Sequence, residues 1–176
     1  MIIQSRAILN RQFIIMSSNK DQFIRLVRHP VKFRMFLFSK LPSAFFSGVR
    51  VTHIDESKTI VSVPYKWFSQ NPFKSTYFAC LAMAAEMSTG LLAMMHTHKS
   101  SPAISMLVVG LEAKYFKKAT SPTLFTCEDG GAISNTITDS INSGEGRSIK
   151  AKSVGRNLDG EIVAEFFITW SFKAKR

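Results

Sequence analysis

The sequence predicts an α+β fold, a curved antiparallel sheet of about six strands wrapped around one long apolar helix, with an extra N-terminal helix. Two observations predict it. The first is the run Tyr77 to Met95, rich in Ala, Leu and Met, in which Glu86 is the only charge. Such residues are strong helix formers, and a helix without a polar face has to be covered by other structure. The second is the order of the remaining segments. Two strand-like runs precede the apolar helix and four follow it, with no repeat, low-complexity tract or linker between them.

Taken in order, residues 1–18 read as an extension ahead of the domain, poorly ordered or contributed by an upstream start codon: Met16 is followed by the polar Ser17, Ser18, Asn19 and Lys20. Residues 19–40 read as an N-terminal helix, capped by Ser18 or Asn19. It carries an apolar stripe of Phe23, Leu26 and Val27 and a basic one of Lys20, Arg25, Arg28 and Lys32. Pro30 kinks or divides it. Residues 41–176 form the main domain. Phe46 to Ile54 and Thr59 to Pro64 alternate as strands around an Asp55-Glu-Ser-Lys58 hairpin loop, and Tyr65 to Gln70 is a loop. Pro72 ends the extended chain, and Ser75 or Thr76 caps the apolar helix. Ile104 to Ala119 and Thr123 to Cys127 follow as strands. A short helix is expected around Ala132 to Ile141. Arg147 to Asn157 and Ile162 to Phe172 make a closing hairpin about Leu158-Asp-Gly-Glu161. The last strand is apolar on both faces near Phe166, which places it centrally or under cover.

The length of 176 residues fits one domain with a real core. The formal net charge of +11 points to an anionic partner: nucleic acid, a membrane surface or a phosphate-bearing ligand. No helix–turn–helix or RNA-binding strand motif is legible, so nucleic acid is not expected. The basic N-terminal helix could lie on a membrane, though packing on the domain is the commoner fate of such a segment. The apolar helix approaches spanning length, but Glu86 at mid-segment and its Ala, Ser, Thr and Gly content favour burial inside protein. Cys80 and Cys127 are expected to be buried reduced thiols, which suits a cytoplasmic location. No signal peptide is legible. His96-Thr-His98 lacks a third ligand and is no metal site; these histidines are expected to favour the dipole at a helix C-terminus.

The order strand, strand, apolar helix, four strands resembles the hotdog fold of acyl-CoA thioesterases and dehydratases. The segments Asn71-Pro-Phe-Lys-Ser-Thr-Tyr-Phe-Ala79 and Met83-Ala-Ala-Glu-Met-Ser-Thr-Gly90 are similar to an uncharacterised subfamily of this thioesterase-like superfamily. The resemblance spans residues 41–173. It implies a homodimer or a tetramer, two sheets joined edge to edge, and sites at the interface. It also implies hydrolysis of an acyl- or aryl-CoA thioester, with coenzyme A entering as part of the substrate and no separate cofactor. Glu86 falls on the family's catalytic carboxylate, while Tyr77, Phe78 and Ala79 stand where the family usually shows His-Gly-Gly. The alternative is a hotdog protein that binds acyl-CoA or lipid without turning it over.

The residues support that chemistry in part. A carboxylate in an apolar helix can activate water or attack a thioester, or it can simply be a buried Glu paired elsewhere. The amides of Phe78 and Ala79, at the positive end of the helix dipole, would hold the oxyanion. Asn71, Gln70 and Tyr77 would orient substrate or water, although Asn-Pro is also ordinary turn chemistry. Met83 would line an acyl slot. Lys150, Lys152, Arg147 and Arg156, with Lys117 and Lys118, would hold the coenzyme A phosphates, against the alternative of a solvated strand face.

Overall fold

A computed structural model describes residues 19–175. The expected extension over 1–18, including a cap at Ser18, lies outside the described residues. The N-terminal segment forms three helices: α1 over residues 19–28, α2 over Pro30–Lys40 and α3 over Pro42–Phe46. Prolines punctuate it. Pro30 and Pro42 each open a helix in its first turn, where the missing N–H costs nothing. Pro30 therefore divides the expected helix rather than kinking it.

The strands are β1 (Arg50–Ile54), β2 (Thr59–Val63), β3 (Ile104–Tyr115), β4 (Thr123–Cys127), β5 (Arg147–Arg156) and β6 (Ile162–Ala174). They form one antiparallel sheet in the order β1-β2-β4-β5-β6-β3. The long helix α4 (Phe78–Thr97) packs on the concave face, and α5 (Gly130–Ser143) lies beside it against β5 and β6. Bulges in β1, β3 and at the end of β5 bend the sheet. This is the hotdog fold that the element order predicts. Phe23 of α1 and Phe33 and Leu37 of α2 are buried in the same core as α4 and the sheet. Arg28 donates to the Ile54 carbonyl at 2.7 Å, and Arg34 to those of Val49 and Phe45, so the N-terminal helices lie along β1.

Several boundaries differ from expectation. β1 begins at Arg50, not Phe46, because Pro42 starts a helical turn that runs through Phe46. β3 ends at Tyr115, not Ala119. Beyond it the chain leaves the sheet so that the Ala119 carbonyl accepts from both the amide and the hydroxyl of Thr76. That contact occupies Thr76, and Ser75 donates to Asn71 Oδ1, so neither caps α4; its N-cap is Tyr77. α5 begins earlier than expected, at Gly130. A Cβ there would meet the Glu56 carbonyl oxygen at 2.2 Å, so close packing against the β1–β2 turn demands glycine.

Candidate functional site

α4 is not covered all round. Cys80, Leu81, Ala84, Ala85, Leu91 and Leu92 are buried, whereas Ala79, Ala82, Met83, Glu86, Met94 and Thr97 form a partly exposed stripe at helical spacing. The helix rests on β2, β4 and β5 and barely reaches β6. Its open stripe therefore looks toward the β6–β3 half of the concave face. Its length and composition would suffice to cross a membrane, but two thirds of the apolar window is buried in the fold (67%).

Glu86 stands on that stripe. Its carboxylate has no hydrogen-bond or ion-pair partner among the described residues, and burial alone pushes its pKa upward. Oε1 lies alongside Gly90, one turn toward the helix C-terminus: a Cβ on Gly90 would sit 3.1 Å from it and 3.2 Å from the Trp170 ring. Gly90 thus opens the space in which carboxylate and indole meet. Trp170 is held by donating Nε1–H to Thr89 Oγ1 at 2.9 Å, and β5 is tied to α4 by a buried Ser88–Ser153 hydroxyl pair at 2.8 Å.

The other expected residues gather at the N-terminus of α4. A cavity of about 790 Å³ opens there, walled on one side by Gln70, Asn71, Tyr77, Phe78 and Leu81 and on the other by Tyr115, Phe116, Lys117 and Lys118. The amides of Phe78 and Ala79 have no acceptor among the described residues; the first helix-start amides to find one are those of Cys80 and Leu81, both on the Tyr77 carbonyl. Asn71 Oδ1 is consumed by the turn, accepting from the amides of Phe73 and Ser75. Gln70 and Tyr77 are exposed at the rim, Tyr77 packed edge-on to Phe78 at 4.9 Å. Met83 packs partly against the core and does not line the cavity.

One chain does not bring these two groups together. Ala79 and Glu86 are seven residues apart, about 10 Å along the helix axis, and the carboxylate turns away from the amides.

The β5 basic residues are already engaged. Lys150 pairs with Glu112 at 2.5 Å, Lys152 with Glu165 at 2.7 Å and Arg147 with Glu145 at 3.0 Å; Arg156 donates to the Gly160 carbonyl at 2.8 Å. Lys152 and Arg156 also share a hollow with Glu128 and Asp129, whose charge would repel a phosphate. Of the six basic residues considered, only Lys117 and Lys118 line the cavity, and Lys117 pairs with Glu161 across its edge. The features illegible in the sequence are the Tyr115–Phe116 wall and the Gly90–Trp170 niche; a glycine in mid-helix was the one available signal for the niche.

Burial works against His96 and His98 serving the helix dipole as cations. Burial pushes His96 down to about 4, and His98 is lowered as well. No cluster of three metal-ligating side chains occurs among the described residues. Both cysteines are buried and free; Cys80 donates to Ser47, and burial pushes Cys127 up to about 12.

A family model described as "Domain of unknown function (DUF4442)" matches residues 32–171, and the chain belongs to that family. No curated protein matches. Among solved structures, a protein of unknown function and probable thioesterase from Pseudomonas aeruginosa is similar, with TM-score 0.69 at 18% identity, covering 83% of this chain and 97% of that one. A thioesterase from Haemophilus influenzae gives 0.61 at 11%, covering 81% and 89%. A variant of a thioesterase from Staphylococcus aureus gives 0.56 at 13%, covering 79% and 98%. At these identities the likeness establishes the shared hotdog fold.

Proposed function

We propose that the chain is a thioesterase acting on an acyl- or aryl-CoA thioester. The observation that carries this reading is Glu86, a carboxylate without a partner among the described residues, its pKa raised by burial, on the open stripe of the central helix. It would activate water or attack the thioester carbonyl. The free amides of Phe78 and Ala79 would receive the oxyanion, and the adjoining apolar cavity would take the acyl group. Lys117 and Lys118 line that cavity and the β5 set does not, so these two are better placed for coenzyme A phosphates, with Lys117 exchanging its Glu161 partner for a phosphate.

The separation of amides and carboxylate along α4 calls for a second copy. β3 is an edge strand of twelve residues with Leu107, Val109 and Leu111 exposed. Antiparallel pairing of two such edges would make a homodimer in which Glu86 of one protomer approaches the helix N-terminus of the other. The buried free thiols suit the cytoplasm.

The same 10 Å separation favours a second reading, a protein that binds acyl-CoA without turnover. A panel of acyl- and aryl-CoA thioesters assayed on the wild type and Glu86→Ala separates the two. Turnover should fall about a thousandfold in the variant. Unchanged turnover would remove Glu86 from the chemistry, and binding without turnover by the wild type would establish the second reading.

A further inference from the structure

α2 is apolar on two opposite faces. Phe33 and Leu37 point into the core. At about 100° per residue, Val31, Met35 and Phe38 fall within about 60° of one another on the far side, and all three are exposed. One apolar face suffices to pack a helix; a second needs another apolar environment. The stripe continues through ring contacts from Phe38 to Phe46 (6.2 Å), Phe46 to Phe68 (5.8 Å) and Phe68 to Trp67 (5.2 Å). Trp67 is 78% exposed, Phe68 57% and Phe46 51%. Three separate segments thus hold one uncovered aromatic surface.

Its charge is one-sided. From Gln22 to Ala85 the only acidic residues are Asp55 and Glu56, both at the β1–β2 turn. Lys32 on α2 and Lys66 beside Trp67 are exposed, and neither pairs with a carboxylate among the described residues. Aromatic rings flanked by Lys32 and Lys66, with acid excluded, match the boundary between acyl chains and anionic headgroups. A second copy paired through β3 would not cover this surface, because α1 and α2 lie along β1, the opposite edge of the sheet.

We propose that the surface formed by Val31, Met35, Phe38, Phe46, Trp67 and Phe68 docks the protein on anionic bilayers. Trp67 and its neighbours enter the interface while Lys32 and Lys66 meet the headgroups.

The full chain carries its own reporter. It has two tryptophans, and Trp170 is buried, so a change in emission on docking reports Trp67. Vesicles of equal parts phosphatidylcholine and phosphatidylglycerol should shift the emission to the blue and co-sediment the protein, and lipids brominated in the acyl chain should quench it. Partitioning should weaken about tenfold or more in Trp67→Ala with Phe68→Ala and in Lys32→Glu with Lys66→Glu, and it should fall with salt. Far-UV circular dichroism and the thermal midpoint should stay at wild-type values in both variants. Failure to partition into the anionic vesicles, or partitioning undiminished in both variants, would overturn the proposal. So would Trp67 being shielded from aqueous iodide in the free protein, which would assign the surface to residues 1–18 or to a second copy.

Discussion

The two halves of the concave sheet face are built from similar residues and end in different states. Over β2, β4 and β5, the side chains of Val61, Val63, Phe125, Cys127 and Ala151 are wholly buried under α4. On β3 the residues facing the same way after the bulge include Leu111 and Tyr115, opposite Ile168 and Ala164, yet both remain about half exposed. Strand propensity does not separate the two halves; what lies above them does. α4 sits off-centre over β2, β4 and β5, and α5 lies against β5 and β6, so the concave residues of β6 are buried as well and the trough that is left lies over β3. Glu86 and Trp170 border that trough. The covered region holds the core of the fold, and the β3 edge stays exposed.

Substitutions in the covered and exposed regions should differ in cost. The largest effect is expected from Phe125→Ala, which removes a ring with no exposure from the covered half. It should cost about 3–5 kcal/mol in a denaturant titration, whereas Leu107→Ala on the exposed edge should stay within about 0.5 kcal/mol. Equal losses would mean that the edge is as buried as the core. Next in size is assembly. Leu107 faces Ser171 on the convex side and Leu111 faces Ile168 on the concave side, so Leu107→Lys with Leu111→Lys puts charge on both sides of any β3 pairing. Sedimentation velocity should then move from the mass of a dimer to the single-chain 19.7 kDa. A wild type already at that mass would dispose of the two-copy site.

The smallest effect sharpens the position of Glu86. Burial raises its pKa above the ordinary 4.5. A carboxyl raised in the folded state favours folding while protonated. That contribution is complete below the ordinary value and is lost as pH rises through the raised one. Glu86→Gln is neutral throughout, so its thermal midpoint should exceed that of the wild type at neutral pH and converge with it in acid. A variant less stable at neutral pH would reveal a partner for the carboxylate that the single chain does not supply.

Much of the fold was legible because local chemistry and tertiary packing agree. The bounds of β4 are Thr123–Cys127 as expected, and Pro30 divides the N-terminal helix where it stands. Where they disagreed, a long-range contact won. Thr76 gave up its capping role for the Ala119 carbonyl, and Gly130 opened α5 because the neighbouring turn left no room for a Cβ. The candidate site was legible only in pieces. Glu86 was visible as the lone charge, and the amides of Phe78 and Ala79 as a helix start. The engagement of the β5 lysines with Glu112 and Glu165 was not, because those carboxylates belong to other strands.

By itself the sequence determined the order of elements, the apolar helix with one carboxylate, and the basic character of the chain, since periodicity and charge are local properties. Only the tertiary structure decided that the helix is sealed on one side and open on the other. It also decided that α2 keeps a second apolar face outside. Each depends on where the off-centre helix and the sheet edges fall in space, which no window of sequence contains.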